Sequence, residues 1–273
     1  MNILYCGDSR MKSGLLISIL SLRKQVREPL NIYILTASMQ SDTQRFYPLS
    51  ARTTAELDDL VKQTNPANQV IRIDVTALVT TNPPTANRDT IFTPCCMLRL
   101  YADQVPELPD KLLYLDTDVI CRLNCQSFYH QDVTNIELAG VLDHYGRWFF
   151  HQDWEHFDYL NSGVLLLNLR EIRRTGLFAR SRELCRTKEM FMPDQSALNN
   201  LVTRKRLLPR RYNEQRRLKA NTVFQHFTTS FRLFPWLHTL TVKPWQVDDV
   251  HRKLKLHEYD DLLAAYQKLI VTL

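Results

Sequence analysis

Short apolar runs alternate along this chain with stretches whose apolar residues recur every three to four positions. Residues 2–6 (Asn-Ile-Leu-Tyr-Cys) predict a buried first strand. In residues 12–24, Leu15, Leu16, Ile19, Leu20 and Leu22 fall near helical spacing. A second strand is predicted over 30–36, a helix over 51–62, and a third strand with clean alternation over 69–75. Asn82-Pro83-Pro84 marks a loop, 94–101 a helix and 106–110 another loop. Lys111–Leu115 is an apolar strand that stops at Asp116, and 136–142 is one that stops at Asp143. Residues 161–169 carry the buried run Val164-Leu165-Leu166-Leu167. Helices are predicted over 171–188 and 194–201, and one or two more over 248–273. Strands alternating with helices imply an α/β fold with a parallel or mostly parallel sheet and helices on its faces.

Composition adds exclusions. With 273 residues, 44% hydrophobic and 23% charged, the chain has ordinary globular composition. A chain of this size buries roughly three quarters of its unfolded surface, so it needs no disulfides to fold. Only six glycines are present, and none builds G-x-G-x-x-G or G-x-x-x-x-G-K-[ST]. A nucleotide would have to be held by other means than a glycine-rich cradle. Met1–Tyr5 lacks a basic region and runs directly into the first strand, which argues against a signal peptide. No stretch reaches the ~18 apolar residues of a membrane span. Cys6, Cys95, Cys96, Cys121, Cys125 and Cys185 make no secreted framework, so free thiols and a cytoplasmic location are expected. Cys121-x3-Cys125 has no partner pair at zinc-finger spacing.

The net charge of +6 is local. Arg204, Lys205, Arg206, Arg210, Arg211, Arg216, Arg217 and Lys219 face one acid, Glu214, within 204–219. This stretch reads either as a solvated face with a strand, or as a contact for an anionic acceptor or anionic membrane, with Phe231, Phe234 and Trp236 following. No nucleic-acid motif accompanies it.

The sharpest chemistry is Leu112-Leu113-Tyr114-Leu115-Asp116-Thr117-Asp118, an apolar strand running into Asp-x-Asp. Ligands of open α/β sheets bind at the carboxyl ends of strands. Residues i and i+2 of extended chain point the same way, so both carboxylates can face one cation. Oxygen ligands suit Mg²⁺ or Mn²⁺, which bridge phosphate oxygens. A plain strand-ending turn with two solvated acids explains the same pair. Asp8 and Asp143 also stand just past predicted strands; either alone fits a turn or helix cap.

These segments resemble glycosyltransferase family 8, retaining GT-A enzymes that include lipopolysaccharide galactosyl- and glucosyltransferases and glycogenin. The resemblance covers most of the chain. Asn2–Asp8 looks like the family's nucleotide-binding first strand, and Met97-Leu98-Arg99-Leu100 like its donor-reaching helix. Leu113–Asp118 is similar to its metal-binding Asp-x-Asp, and Tyr159–Leu169, with Asn161-Ser162-Gly163, to its Asn-[Ser/Ala]-Gly-Val segment. Asp194-Gln195-Ser196-Ala197-Leu198-Asn199 resembles Asp-Gln-Asp-hydrophobic-Asn, with Ser196 and Ala197 as departures. Leu208-Pro209 to Tyr212-Asn213 and Lys243-Pro244-Trp245 complete the series. The family's final motif usually runs His-[Phe/Tyr]-x-Gly-x-x-Lys-Pro-Trp, its histidine being the third protein ligand of the metal. Here the glycine is missing. His226-Phe227 is the favoured start, with 229–240 as an insertion looping out. His238, five residues before Lys243, is the alternative.

The resemblance implies a GT-A, Rossmann-like mixed sheet with helices on both faces. Residues 1–225 would form the nucleotide-sugar-binding catalytic domain. Residues 226–273 would be a helical, aromatic segment completing the metal site on the same domain. It implies transfer of glucose or galactose from a UDP-sugar to a hydroxyl on a glycan, glycolipid or glycoprotein acceptor, with retention. Mn²⁺ (or Mg²⁺) would be held by Asp116, Asp118 and His226. Asp8, Arg99, Thr117, Asp143, Asn161, Asp194 and Lys243 would contact the donor. Gln195 and Asp194 would be the catalytic pair. Gln195 is a poor nucleophile, so front-side attack by the acceptor is favoured. Two rivals remain. A sugar nucleotidyltransferase would need a glycine-rich start that residues 2–14 lack. A degenerate sugar-nucleotide binder would have lost Asp-x-Asp or Gln195.

Overall fold

The computed structural model describes residues 1–89, 93–144, 158–232 and 238–273. Among them, seven strands form one mixed sheet: β1 (Asn2–Cys6), β2 (Asn31–Thr36), β5 (Gln69–Asp74), β6 (Lys111–Leu115), β8 (Leu138–Leu142), β9 (Leu160–Asn168) and β10 (Lys205–Leu207). Their order is β10-β8-β9-β6-β1-β2-β5. Three short ribbons lie outside it: β3 (Met39–Gln40) with β4 (Arg45–Phe46), β7 (Val119–Cys121) with β11 (Phe224–His226), and β12 (Ser230–Arg232) with β13 (His238–Leu240).

Period-two alternation assigns each strand's side chains to opposite faces. Ile3 and Tyr5 of β1 and Leu113 and Leu115 of β6 enter one core, shared with Leu15, Leu16 and Ile19 of the helix Lys12–Gln25. Leu4, Leu112 and Tyr114 enter the other, beneath the 3-10 helix Pro94–Gln104 and the helix Leu177–Thr187. Helices thus cover both faces, as the sequence predicts. Val242, Val250, Tyr259 and Leu263 pack into the first core, so the C-terminal residues share the body of the preceding chain.

The sheet is mixed, as the family resemblance implies, because β9 runs antiparallel to both β6 and β8 while the other pairs are parallel. A strand buried on both faces carries no sequence mark of its direction. Most predicted elements fall where periodicity puts them, with three differences. The helix expected over 171–188 is two, Leu169–Thr175 and Leu177–Thr187, broken where Gly176 takes φ 68°. The expected loop over 229–240 is bounded by the β12–β13 ribbon. Finally, β7, β10 and β11, three residues each, are too short to show a period. Phe234 and Trp236 lie outside the described residues.

Candidate active site

The site is built at the carboxyl end of β6. Asp116 follows that strand directly, and its N–H donates to Gly163 O on β9 at 2.8 Å. The chain turns through Thr117 (Val119 N to Asp116 O, 3.2 Å) and enters β7 after Asp118. Antiparallel pairing of β7 with β11 sets His226 opposite Val119. The Phe227 N–H then donates to Asp118 O at 3.0 Å. This pairing delivers His226 to two carboxylates more than a hundred residues earlier.

One ligand atom each from Asp116, Asp118 and His226 lie within 4.8 Å of one another. His226 Nε2 is 3.2 Å from Asp118 Oδ1 and 3.7 Å from Asp116 Oδ2. The other oxygen of each aspartate is engaged elsewhere. Asp116 Oδ1 accepts from the Tyr114 hydroxyl (2.6 Å) and from Arg99 (3.0 Å), which leaves Oδ2 facing the cluster. Asp118 Oδ2 accepts from Lys243 Nζ at 2.5 Å, and Lys243 also donates to Phe227 O. Burial pushes the Asp118 carboxyl pKa up, but Lys243 and His226 outweigh it and hold it well below the usual carboxylate range.

The residues fit a divalent cation. They offer two carboxylate oxygens and one imidazole nitrogen, a set that Mn²⁺ accepts. Gly163 keeps the cradle open, since a Cβ there would stand 2.1 Å from His226 Cε1 and 2.7 Å from Asp116 Oδ2.

Arg99 organises the wall beside this cluster. Its buried guanidinium lies 3.9 Å over the Tyr114 ring, donates to Cys96 O, Ser162 O and Asp116, and pairs with Asp194 at 3.1 Å. Asp194 Oδ2 accepts no directed hydrogen bond, because the Arg99 Nε–H points at Cys96 O. Burial raises the Cys6 and Cys96 thiols far above neutrality and the Cys95 thiol to about 12, so none is a thiolate nucleophile.

A second network runs behind the cluster. His226 Nδ1 meets Asn213 Oδ1 at 3.2 Å, and Asn213 donates to Asn161 Oδ1 at 2.8 Å. Asn161 donates to Asp143 Oδ2 at 2.9 Å. Gln195, on the helix Pro193–Leu201, donates to the same oxygen at 3.1 Å, and its carbonyl accepts the Ser162 N–H at 2.8 Å. Asp143, Asn161, Gln195 and His226 are therefore linked. Asp8 stands apart: it caps the turn Ser9–Met11 and is bound bidentately by Arg10. His238 lies in β13, paired with Arg232.

Asn213 was legible only as part of a motif. Its place behind His226 fixes which imidazole nitrogen faces the aspartates, and nothing in its local sequence announces that. Tyr114, buried in a strand, likewise looks like core until its hydroxyl is seen on Asp116.

Comparison with known proteins gives the site a family. The profile described as "Glycosyl transferase family 8" matches residues 2–249. The chain belongs to glycosyl transferase family 8. It is 25% identical over 200 residues to a lipopolysaccharide 1,2-glucosyltransferase of Escherichia coli, covering 58% of each chain. It is 23% identical over 223 residues to a putative glycosyltransferase of Haemophilus influenzae, covering 78% of this chain and 63% of the relative. The alignments thus span about three fifths of these relatives' length. The fold is GT-A. A crystal structure of an active-site mutant of LgtC superposes with TM-score 0.69 at 18% identity, covering 97% of this chain and 96% of that one. The galactosyltransferase LgtC in complex with donor and acceptor sugar analogs gives 0.66 at 17% identity over the same shares. Residues 250–273 lie beyond the family match.

Proposed function

We propose that this chain is a metal-dependent, retaining hexosyltransferase that moves glucose or galactose from a UDP-sugar to an acceptor hydroxyl. The observation that carries this reading is the convergence of Asp116, Asp118 and His226 beside Lys243 at the carboxyl end of β6. These three residues would hold Mn²⁺ or Mg²⁺, which when bound supplies Lewis-acid neutralisation of the departing diphosphate. Lys243 brings a further positive charge to the same place, so leaving-group charge develops among fixed cations. Arg99 bonds Asp116 and pairs with Asp194, which holds both carboxylates in place. Asp143, Asn161 and Asp194 offer both donors and acceptors to sugar hydroxyls.

Retention is what the family resemblance implies, and the chemistry around Gln195 bears on how it would be achieved. Its amide is held on both sides, by Asp143 and by the Ser162 N–H. A held amide is a weak nucleophile but a good dipole. Front-side attack by the acceptor therefore fits better than a covalent intermediate, with the second lone pair of Gln195 Oε1 stabilising the cationic sugar.

The Escherichia coli relative supports a lipopolysaccharide-type acceptor. Arg204, Arg211, Arg216, Arg217 and Lys219 are exposed, which fits peripheral contact with an anionic glycolipid surface from the cytoplasmic side. No helix of the described residues is long and apolar enough to cross a membrane.

The test is UDP release from a panel of UDP-hexoses with Mn²⁺ and truncated lipopolysaccharide. Release from UDP-glucose or UDP-galactose, abolished by chelator, is the expected result. Full activity in excess chelator overturns the metal role. Pyrophosphate formation from a nucleoside triphosphate and a sugar phosphate, without transfer, would favour a nucleotidyltransferase.

A further inference from the structure

Beyond the family match, the helix Val247–Leu254 ends at Lys255, a non-glycine residue in the left-handed region with φ 55°. The turn is closed by the Leu256 N–H on Val250 O at 3.3 Å, and the next helix begins at Asp260. The reversal brings His257 back over His251. Their rings stack with centroids 4.8 Å apart and planes 16° from parallel. Both imidazoles converge on one carboxylate, His251 Nε2 at 2.8 Å from Asp260 Oδ1 and His257 Nδ1 at 3.2 Å from Oδ2. One ligand atom from each of the three lies within 4.8 Å of the others.

We propose that His251, His257 and Asp260 form a second divalent-metal site, selective for a borderline ion of the Zn²⁺ class. Five arguments carry it. The donor set of two imidazoles and one carboxylate suits Zn²⁺ rather than the oxygen-preferring Mn²⁺ or Mg²⁺. In a tetrahedral site with bonds of about 2.0–2.1 Å, neighbouring ligand atoms stand roughly 3.3 Å apart; the three side chains already offer one ligand atom each within 4.8 Å of the others, and binding would turn the stacked imidazoles so that both lone pairs meet one ion. The backbone is fixed on every side, with Val250, Tyr259 and Leu263 buried in the core. The nearby cations Arg252 and Lys253 are drawn to Asp249, 3.5 and 2.9 Å away. His257 and Asp260 are largely exposed, so an ion has direct access and a water can complete its shell.

The site also has a structural reach. Tyr259, between His257 and Asp260, donates its hydroxyl to Gln225 Oε1 at 2.7 Å. Gln225 precedes His226 on β11. An ion closing the 255–259 turn would hold that tyrosine, and with it the strand carrying His226, against the body.

Isothermal titration of metal-stripped protein with Zn²⁺ tests the proposal. The first cluster is silenced by Asp118→Asn, so that the remaining heat reports the second. The Asp118→Asn protein is expected to bind one Zn²⁺ with micromolar or tighter affinity and to melt several degrees higher with Zn²⁺. Adding His257→Asn, at an exposed position, should weaken that site at least tenfold and remove the melting shift. Asp260→Asn should do the same. Mn²⁺ should give no saturable heat in Asp118→Asn. Absence of Zn²⁺ binding by Asp118→Asn at millimolar metal, or unchanged affinity in Asp118→Asn/His257→Asn, overturns the site. Equal Mn²⁺ binding overturns its selectivity.

Discussion

Gly163 and His226 occupy adjoining space: a Cβ on residue 163 would stand 2.1 Å from His226 Cε1 and 2.7 Å from an Asp116 carboxylate oxygen. β9 is buried along nearly its whole length and cannot retreat, so the imidazole must yield. Gly163→Ala is therefore expected to displace His226 and lose at least tenfold in Mn²⁺ affinity. The accompanying destabilisation should be about 1–3 kcal/mol, the usual cost of overpacking. Calorimetry with UDP and Mn²⁺, beside a urea titration, separates the two effects. Wild-type metal affinity in this variant would show that the His226 ring does not depend on the missing Cβ.

Asp118 ties the metal cluster to acid stability. Its folded-state pKa is depressed below the ordinary 3.8, so its charge contributes stability that is fully present above about pH 4. That contribution fades as pH falls through the lower folded value, because protonation releases Lys243 and His226. In metal-free protein, Asp118→Asn should be less stable than wild type at pH 6, with the difference shrinking below pH 4. Urea midpoints from pH 3 to 7 measure this. The same variant should lose several orders of magnitude in turnover. A pH-independent difference would disprove the ion pairing.

Asn213 acts through His226. Replacing it with leucine removes the partner of Nδ1 and frees the ring to turn. Loss of such an outer partner typically costs 10–100-fold in metal affinity. The effect should appear as a higher Mn²⁺ requirement, with activity restored at saturating metal. A fall in turnover that excess Mn²⁺ leaves unrepaired would point to a different role.

Arg99 is a buried cation between Asp116 and Asp194. Arg99→Ala strands the buried Asp194 carboxylate, and breaking a buried pair from one side costs about 3–5 kcal/mol. Arg99→Lys should recover only part of this, since one ammonium cannot serve Cys96 O, Ser162 O and Asp116 together. Chemical denaturation of the two variants checks both statements. Equal stability of lysine and arginine at this position would rule out the fork geometry as the reason for the residue.

The sequence by itself determined the sheet's main strands, because β1, β2, β5 and β6 are apolar runs or alternations whose period is visible locally. It also marked two strand ends that meet at the site, since Asp116 and Asp143 each follow an apolar strand directly, whereas Asp8, two residues past β1, is taken up by Arg10. Family motifs added the order of the site segments. The tertiary structure alone decided the rest. The direction of β9 is not written in a run buried on both faces. The meeting of β7 and β11, three residues each and about a hundred apart, rests on a non-local pairing without periodicity, yet it brings His226 to Asp118. Gly163 as the opening of the cradle, Asn213 behind the imidazole, and His251 with His257 on one carboxylate are likewise matters of distance between separated segments. Local propensity fixes what a segment is; which side chains share a few cubic ångströms is fixed only when the packed sheet closes around them.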